Sequence, residues 1–311
     1  MANDLYDVMD LKALRCFWAM ARHRSLTRAG IELGISESAV SQRVKALEAH
    51  LGTKLYEAKG GRVHLTAAGK RAFEHAIALF DQVDALKTEV ATEEVAGTVT
   101  LVTGESVLRY LLPDIVALFS TEYPRAHLRA LSRHSWNCVD VVRRNDADVG
   151  VIPERALPDD MVFHPWRCYN ACLILPRGHP LLSRGQPAIR DLLNEETILR
   201  YPLVSTEEDD PDDQRVQETL RREGLPYNVR LHVGNLQTVK HYVARGLGIA
   251  VVPELCLSGD DRGVIESIVI PDEFHGQTTY GLILRRDKHL TAPLQGLLQQ
   301  IGVNVEGAAR A

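Results

Sequence analysis

The chain has 311 residues, of which 45% are hydrophobic and 25% are charged, a composition typical of folded globular domains and not of disordered or fibrous chains. Its apolar runs are short and broken by Gly, Pro and Glu, so they predict no transmembrane helix. The acidic start MANDLYDVMD lacks the basic and apolar regions of a signal peptide, and we therefore expect a cytoplasmic protein of about two or three domains.

Positive charge is concentrated near the N-terminus. Residues 10–66 contain ten lysines and arginines and five acids, a net charge of +5, although the whole chain carries −5. The remainder of the chain therefore carries −10. A basic segment attached to an acidic body predicts a polyanionic partner for that segment alone.

Helical patterns come first within this basic segment. Residues 11–21 have helical spacing, and SLTRAGIELG predicts a short second helix that Thr27 caps and Gly34 ends. Ser36 is the expected cap of a third, longer helix, so the two helices and their short connection form a helix-turn-helix pattern. The apolar stripe of the third helix consists of Val40, Val44, Leu47 and Leu51.

Two short strands are predicted next, in KLYEAKGGRVHLT, where a Gly60-Gly61 turn separates alternating patterns. This hairpin is a wing, and its Lys59 and Arg62 predict contacts with phosphates or the minor groove. The alternative role of these two charges is to protect a sheet edge from aggregation.

The polar face of the third helix predicts contact with DNA. Ser, Gln and Arg side chains hydrogen-bond base edges in the major groove, and Lys reaches phosphates. An ordinary solvated face is the alternative, but the preceding turn, the wing and the local charge favour DNA. The predicted DNA-binding residues are Thr27, Ser36, Glu37, Ser38, Ser41, Gln42, Arg43, Lys45, Lys59 and Arg62.

A long helix follows, with Thr66 as its expected N-cap. A helix of this length between two domains does not bury both of its sides, so we expect self-association through it. Packing of the helix on its own chain is the alternative. The predicted stripe is Phe73, Ala76, Phe80, Val83 and Val90, broadened by Ile77, Leu79 and Leu86 and interrupted by Lys87.

From Gly97 onward, strand and helix patterns alternate, which predicts a parallel sheet with helices on both faces. About 200 residues exceed the needs of one small α/β unit, so two units are expected. The sequence contains no G-x-S-x-G, P-loop, G-x-G-x-x-G after a strand, or H-E-x-x-H motif. We therefore predict no enzyme activity, no cofactor and no metal site.

The stretch from residue 10 to 70 resembles the winged helix-turn-helix domain of LysR-type transcriptional regulators. The resemblance includes "LR.F" at its start, "S.AVS..V..LE..LG..L" in the third helix and beyond, and "LT.AG" before the long helix. Glu37 departs from the family, which commonly has glutamine there. NDADVGVI, LPRGHPLL and VARGLGIAVVPE are similar to segments of the family's effector domain.

The resemblance implies an α/β fold with a winged helix-turn-helix, a linker helix and a periplasmic-binding-protein-like effector domain of two subdomains. It also implies promoter DNA as partner, a small-molecule effector in the cleft between the subdomains, and a dimer or a tetrameric dimer of dimers. The expected limits are 10–66 for the DNA-binding domain, 67–95 for the linker helix and 97–303 for the effector-binding domain. Subdomain I is expected at about 97–167 and 276–303, and subdomain II at about 168–275.

In such a fold, loops at strand ends and helix N-termini line the cleft. TGES, HSWN and GNLQT precede predicted helices, and PLVST ends a predicted strand. Simple N-capping is the alternative role of these side chains. The predicted effector-binding residues are Thr103, Gly104, Glu105, Ser106, Ser135, Asn137, Ser205, Thr206 and Asn235.

The class of effector stays open between an anion, an amino acid, an aromatic acid and a cation. The acidic stretch Glu207, Glu208, Asp209, Asp210, Asp212 and Asp213 is interpreted as a solvated loop, with a cationic effector as the alternative. The third helix especially resembles the branch of the family that responds to basic amino acids.

Two other functions compete with a small-molecule regulator. Cys168 and Cys172 suggest a thiol-redox input, although alternation along one strand would hold their sulfurs too far apart for an unstrained disulfide. A solute-binding protein fits the C-terminal part but neither the basic N-terminal segment nor the absence of an export signal.

Overall fold

In the computed structural model, the described residues are 9–59, 62–91, 97–184, 194–206 and 211–303. The predictions for the Gly60-Gly61 turn and for residues 207–210 lie outside them. Backbone contacts divide the chain into two units, Met1–Glu93 with Asp287–Thr291 and Glu94–Arg286 with Ala292–Ala311.

The N-terminal unit contains the predicted winged helix-turn-helix. Its two wing strands are antiparallel, and Lys59 lies opposite Arg62 at the end of the hairpin. The elements are α1 (Leu11–His23), α2 (Leu26–Leu33), α3 (Glu37–Leu51), β1 (Tyr56–Lys59), β2 (Arg62–Leu65) and α4 (Ala67–Ala91).

Caps define the helix ends of this unit. The Ser36 hydroxyl accepts a hydrogen bond from the Ala39 amide at 3.2 Å, and Gly34 ends α2 at a φ of 66°, both as predicted. The prediction that Thr27 caps α2 is wrong, because Ser25 occupies the N-cap and accepts from the Arg28 amide.

The core of the N-terminal unit forms where α1 crosses α3. Phe17 and Met20 of α1 are fully buried with Val40 and Val44 of α3. Leu47 is also buried, but the prediction that Leu51 belongs to this stripe is wrong. Leu51 is exposed because α3 ends there, at the left-handed Gly52.

The start of α4 packs directly on the chain before the wing. Thr66 is the N-cap, as predicted, and its hydroxyl accepts from the Gly69 amide at 3.0 Å. A Cβ at Gly69 would lie 1.9 Å from the Leu55 carbonyl oxygen, so only glycine allows this approach. Farther along α4, Phe80 meets Trp18 of α1 edge to face, with ring centroids 5.9 Å apart.

The second unit contains two sheets. The first has five strands, β3 (Gly97–Thr103), β4 (Ala126–Ser132), β5 (Val149–Pro153), β6 (Met161–Tyr169) and β12 (Thr278–Arg285), in the order β4-β3-β5-β12-β6. β3 is parallel to β4 and β5, whereas β12 is antiparallel to β5 and β6. Helices α5 (Glu105–Tyr110), α6 (Pro113–Glu122), α7 (Ser135–Arg143) and α12 (Ala292–Ile301) belong to this part.

The second sheet is built around β7 (Ala171–Pro176), which pairs antiparallel with β10 (Ala250–Pro253) and β11 (Ile265–Val269). The parallel pair β8 (Leu203–Ser205) and β9 (Val229–His232) joins it, because the Val204 amide donates to the Ile249 carbonyl at 2.9 Å. Its helices are α8 (Glu195–Arg200), α9 (Pro211–Arg222), α10 (Leu236–Ala244) and α11 (Asp272–His275), with 3-10 turns at Pro180–Arg184, Glu254–Cys256 and Gly259–Asp261.

Both sheets are therefore mixed, although the alternating pattern predicted parallel ones. The chain leaves the first sheet after β6 and returns to it as β12, which must run against its neighbours. Asn170 and Gln277 lie at these two crossings, and the Gln277 amide donates to Asn170 Oδ1 at 2.9 Å. Within the described ranges, no helix combines the length and apolar character needed to cross a bilayer.

Candidate DNA-binding and effector-binding sites

One face of α3 carries a row of exposed polar side chains. Ser38, Gln42 and Lys45 are exposed, with Ser41 half-buried beside them. The positions i, i+3, i+4 and i+7 lie on one side of a helix, opposite the buried stripe. The row is therefore free to enter a groove of DNA while the stripe holds the helix to the unit.

Glu37 is tied to the preceding helix. The Thr27 hydroxyl donates to Glu37 Oε2 at 2.6 Å, so the first residue of α3 is linked to α2. The threonine hydroxyl is uncharged, so this hydrogen bond does not neutralise the Glu37 carboxylate. The Ser36 and Ser38 hydroxyls are 2.9 Å apart at the same end of α3.

Arg43 lies away from the Ser38 row. It is one residue from Gln42 and therefore about 100° around the helix. It lines a groove of about 180 Å³ with Lys12 and Arg15 of α1, two basic residues that were not predicted. The other lining residues are Cys16, Glu32, Leu33 and Ile35. A helical-wheel comparison of α1 and α3 could not find this groove, because it depends on how the two helices cross.

The wing places two cations side by side. Lys59 and Arg62 are exposed and face each other in the hairpin register. Lys59 Nζ lies 3.1 Å from Glu57, but both groups are largely in water and this pair is weak. The lysine is therefore available to a phosphate.

A cavity of about 280 Å³ opens in the second unit where elements of both sheets meet. Loops after β3, β4 and β9 contribute to it, in agreement with the rule that strand ends form ligand sites. The lining residues are Gly104, Glu105, Ser106, Val107, Ser132, Arg133, His134, Val151, Pro153, Thr206, Gly234, Asn235, Leu236 and Tyr280.

Five of the predicted effector residues line this cavity, namely Gly104, Glu105, Ser106, Thr206 and Asn235. Three others do not. Thr103 is buried and donates to the Val151 carbonyl at 2.5 Å, Ser205 donates to Asp213, and Asn137 is exposed outside the lining. The side chain of Ser135 lies outside the described part of the structure.

The main residues that were missed are Arg133, His134 and Tyr280. Arg133 directly precedes the selected HSWN segment and His134 is its first residue, but only the hydroxyl of Ser135 and the amide of Asn137 were chosen there, so the two basic side chains were the overlooked signal. Tyr280 lies on β12, and its place beside β5 follows from the return of the chain to the first sheet. No local pattern shows that return.

Positive potential is supplied to the cavity by an arginine and by two helices. Arg133 is exposed and donates to the Ser132 carbonyl at 2.6 Å. The nine-residue helices α7 and α10 begin at the lining residues His134 and Asn235, and the N-terminus of a helix is its positive end. Glu105 opposes this charge, but it forms an ion pair with Arg109 at 3.8 Å.

Thr206 lines the cavity and has a buried hydroxyl. Its side chain is 3% exposed, and Oγ1 has no hydrogen-bond partner among the described residues. An unsatisfied buried hydroxyl costs on the order of 1–3 kcal/mol. A ligand that hydrogen-bonds this oxygen recovers that cost.

Within the acidic stretch, the described side chain is that of Asp213. Asp213, its described buried member, accepts from Ser205 and from the Tyr227 hydroxyl at 2.6 Å and does not line the cavity. Among the described residues, no group of three or more His, Cys, Asp or Glu is placed to hold a metal ion.

Cys168 and Cys172 belong to different sheets, so the prediction that they alternate along one strand is wrong. Cys168 is exposed at the end of β6 and donates to Gln277 at 3.1 Å. Cys172 is buried in β7, where desolvation, with a smaller contribution from the charge of Glu254, raises its pKa to about 12. A thiol held in this neutral form reacts poorly, which disfavours the redox alternative.

These features define a class of protein. A basic winged helix-turn-helix carries an exposed row of polar side chains, and a separate α/β unit carries a cavity of ligand size. Such a chain is a ligand-responsive DNA-binding protein.

Comparison with known proteins identifies the family. The bacterial regulatory helix-turn-helix of the lysR family matches residues 11–70, and the LysR substrate binding domain matches residues 92–303. The chain therefore belongs to the LysR family of transcriptional regulators, and it is a DNA-binding regulator with an effector-binding domain. This confirms the family predicted from the sequence.

Individual relatives are distant. The regulator cbl of Escherichia coli K12 is 26% identical over 251 residues, which are 79% of this chain and 78% of cbl. The regulator YeiE of the same strain is 25% identical over 290 residues, 93% of this chain and 95% of YeiE.

Solved structures support the fold. A full-length OxyR variant from Pseudomonas aeruginosa has a TM-score of 0.71 at 20% identity, with 94% of each chain covered. The cofactor-binding domain of the Cbl regulator has a TM-score of 0.62 at 23% identity, and the match covers 71% of this chain and 96% of that domain.

Proposed function

We propose that the Ser38–Gln42–Lys45 row of α3 reads promoter DNA in the major groove. The observation that carries this proposal is that these side chains are exposed together opposite the buried Val40–Val44 stripe. Lys59 and Arg62 of the wing bind phosphates and fix the register of the unit on the duplex. Lys12, Arg15 and Arg43 form a second basic surface beside α3.

Two kinds of substitution test this assignment. Gln42→Ala is expected to weaken operator binding and to relax preference at one base pair, because a base contact is lost. Arg62→Ala is expected to weaken binding to all sequences and to lower the salt slope by about one unit, because a phosphate contact is lost. Fluorescence anisotropy over several salt concentrations measures both effects.

The exposed Gln299 of α12 provides the matched control, since Gln299→Ala removes the same amide from the second unit. Equal base preference in Gln42→Ala and in the control would contradict the role of α3. A salt slope unchanged by Arg62→Ala would remove the wing from the DNA.

We propose that the effector is a small anion bound in the cavity of the second unit. The observation that carries this proposal is the buried Thr206 hydroxyl, which has no hydrogen-bond partner among the described residues. Arg133 and the positive ends of α7 and α10 favour a negative charge there. The volume of about 280 Å³ is at the low end for ligand sites and favours a small ligand.

Thermal unfolding with sulfate, phosphate, acetate, benzoate, arginine and magnesium tests the class of effector. A ligand at about 100 times its dissociation constant adds about 2.7 kcal/mol to the free energy of unfolding. We expect anions to stabilise the protein and the two cations to leave it unchanged. Stabilisation by arginine or magnesium alone would contradict the anion and favour a cationic effector.

A pair of isosteric variants ties this effect to the cavity. Thr206→Val removes a hydroxyl without a described partner, so the ligand-free protein is expected to keep its stability while the anion effect is lost. Thr103→Val removes a hydroxyl that donates to the Val151 carbonyl at 2.5 Å, so it is expected to lower ligand-free stability. An unchanged anion effect in Thr206→Val would exclude its hydroxyl as a ligand.

Self-association completes the proposed function. Leu79 and Leu86 of α4 are 38% and 60% exposed and lie seven residues apart on one side of the helix. We propose that they meet the same residues of a second copy, which gives a dimer that places two winged units on promoter DNA in the cytoplasm.

A further inference from the structure

Two helices that begin at the cavity are joined to each other farther along. α5 follows β3 of the first sheet, starts at the cavity with Glu105 and ends at Tyr110. α10 follows β9 of the second sheet and starts at the cavity with Leu236. Gln237 and Lys240 lie in its first two turns. The Tyr110 hydroxyl donates to Gln237 Oε1 and accepts from Lys240 Nζ at 3.0 Å.

The Lys240 ammonium group donates all three of its protons in this contact between the two helices. Its side chain is 2% exposed, and Nζ donates to Tyr110, to the Cys256 carbonyl at 2.6 Å and to Asp261 Oδ2 at 2.7 Å. An ammonium group has three protons, and each meets one acceptor. Asp261 is itself held by the Ser258 amide at 2.8 Å.

Electrostatics keeps this lysine charged. Burial acts to lower the pKa of Lys240, but hydrogen bonds to Asp261 and Tyr110 and the negative charge of Asp261 outweigh burial and raise it. A buried charge whose donors are all satisfied strongly resists the loss of any one partner. The hydrogen bonds of Tyr110 and Lys240 therefore link α5 firmly to α10, and we call this contact the Tyr110–Lys240 junction.

α5 is too short to hold its position by its own hydrogen bonds alone. The helix has six residues, fewer than two turns, so its own hydrogen bonds contribute little stability. Its cavity end carries Glu105 and Ser106, which line the cavity together with Thr206 and Asn235 from loops that follow β8 and β9. Release of Tyr110 therefore removes one hydrogen-bonded link between these two walls of the cavity.

We propose that Tyr110 and Lys240 are positioning residues of the effector site, which hold the cavity ends of α5 and α10 at the spacing that the ligand requires. Neither residue lines the cavity, so each acts through its helix. The inference rests on the proposed effector site in that cavity. An effector that contacts both walls binds the joined form preferentially and in turn strengthens the junction.

Hydrogen exchange in the ligand-free, full-length protein tests the junction directly. Tyr110→Phe keeps the ring and removes only the hydroxyl, and we expect about tenfold faster exchange at the first amides bonded to a backbone carbonyl in each helix, Leu108 of α5 and Val239 of α10, as for the loss of one charged hydrogen bond. Asp261→Asn weakens the anchor of Lys240 from the side of the second sheet, and it is expected to speed exchange in α5 as well.

The control is Tyr123→Phe, which removes a hydroxyl at the end of α6, outside the cavity lining. It is expected to leave both helices unchanged. Faster exchange in α5 alone after Tyr110→Phe, or no change in α5 after Asp261→Asn, would overturn the inference, because a local structural role predicts those results.

Binding of inorganic sulfate, measured by titration calorimetry, separates this inference from the proposed function. Tyr110→Phe is expected to weaken sulfate binding about tenfold without changing the number of sites, and Tyr123→Phe is expected to bind like the unmodified protein. Equal sulfate affinity in Tyr110→Phe would refute the positioning role while leaving the effector site intact. If the unmodified protein bound no sulfate, the proposed anion would lose support, and the exchange experiment alone would decide the junction.

Discussion

Among single side chains, Glu37 has a charge that opposes the proposed DNA contact of α3. It is exposed at the first position of α3, next to the Ser38 row that faces DNA. An acid at this end of a helix is stabilised by the helix dipole, and the bond from Thr27 holds it in place. Glu37 therefore stabilises the turn between α2 and α3 at a cost in attraction for phosphates.

Removing this charge while keeping its hydrogen bond is expected to strengthen DNA binding. In Glu37→Gln, the amide oxygen still accepts from Thr27, and the repulsion of nearby phosphates disappears. We expect operator affinity to rise on the order of threefold at low salt and the gain to shrink as salt screens the charge. Fluorescence anisotropy at several salt concentrations measures it.

Glu74→Gln on the exposed side of α4 is the control for net charge, and it is expected to change operator affinity less. If Glu37→Gln instead loses affinity at one base pair only, the carboxylate accepts from a cytosine amino group, and Glu37 then takes part in base recognition.

Single residues were predictable from sequence where local geometry decides their role. The caps Ser36 and Thr66 follow from the backbone pattern of a helix start, and the buried Val40 and Val44 follow from helical spacing. Tyr280 could not be assigned in this way, because it reaches the cavity only through the pairing of distant strands.

Among the elements, the contact of α9 with α11 contains a histidine that stays neutral. The Thr219 hydroxyl and His275 Nδ1 are 2.8 Å apart. Burial, with smaller contributions from the charges of Arg215 and Arg222, lowers the pKa of His275 to about 4. The folded protein therefore resists protonation at this position, whereas the unfolded chain takes up a proton at the ordinary value of 6.5.

This difference predicts a loss of stability in acid. Above pH 6.5, His275 is neutral in both states and has no effect on the pH dependence. Between pH 6.5 and about 4, only the unfolded chain binds the proton, so the free energy of unfolding falls by up to about 3 kcal/mol. Urea unfolding at a series of pH values measures the slope.

His275→Gln removes the titrating group and retains a hydrogen-bonding side chain for Thr219. The variant is expected to lose less stability than the unmodified protein between pH 6.5 and 4. His64→Gln on the exposed strand β2 is the control and is expected to keep the original slope. Identical slopes for His275→Gln and the unmodified protein would show that His275 titrates normally.

The order of the elements was predictable because period and turn signals are local. Alternation of strands and helices correctly indicated an α/β unit, and the Gly34 and Ser36 signals located the helix-turn-helix. The direction of β12 was not predictable, since it depends on the return of the chain from the second sheet to the first. For the same reason, the proposed limits of the two subdomains remain predictions.

At the scale of the whole molecule, α4 has two apolar sides, of which one is buried in the N-terminal unit and the other is exposed. Ala76 and Ile77 are buried, and Phe80 contacts Trp18, so one side belongs to the N-terminal unit. Leu79 and Leu86 on the other side remain exposed to water in the single chain. An exposed leucine pair at a seven-residue interval is typical of a helix that pairs with another helix.

Replacing one of these leucines is therefore expected to separate the copies. Leu86→Glu removes apolar contact twice in a symmetric dimer and places two like charges together. Burial of a leucine contributes about 1.5–3 kcal/mol, so the dimer dissociation constant is expected to rise on the order of a hundredfold. Sedimentation velocity over a concentration series measures this shift.

Leu199→Glu, at a leucine of similar exposure (58% against 60%) on α8, is the control and is expected to keep the original oligomer. An unchanged dimer in Leu86→Glu would place the self-association surface elsewhere on the chain. A monomer that still bound single half-sites through α3 would show that α4 sets the number of DNA contacts without forming the reading surface.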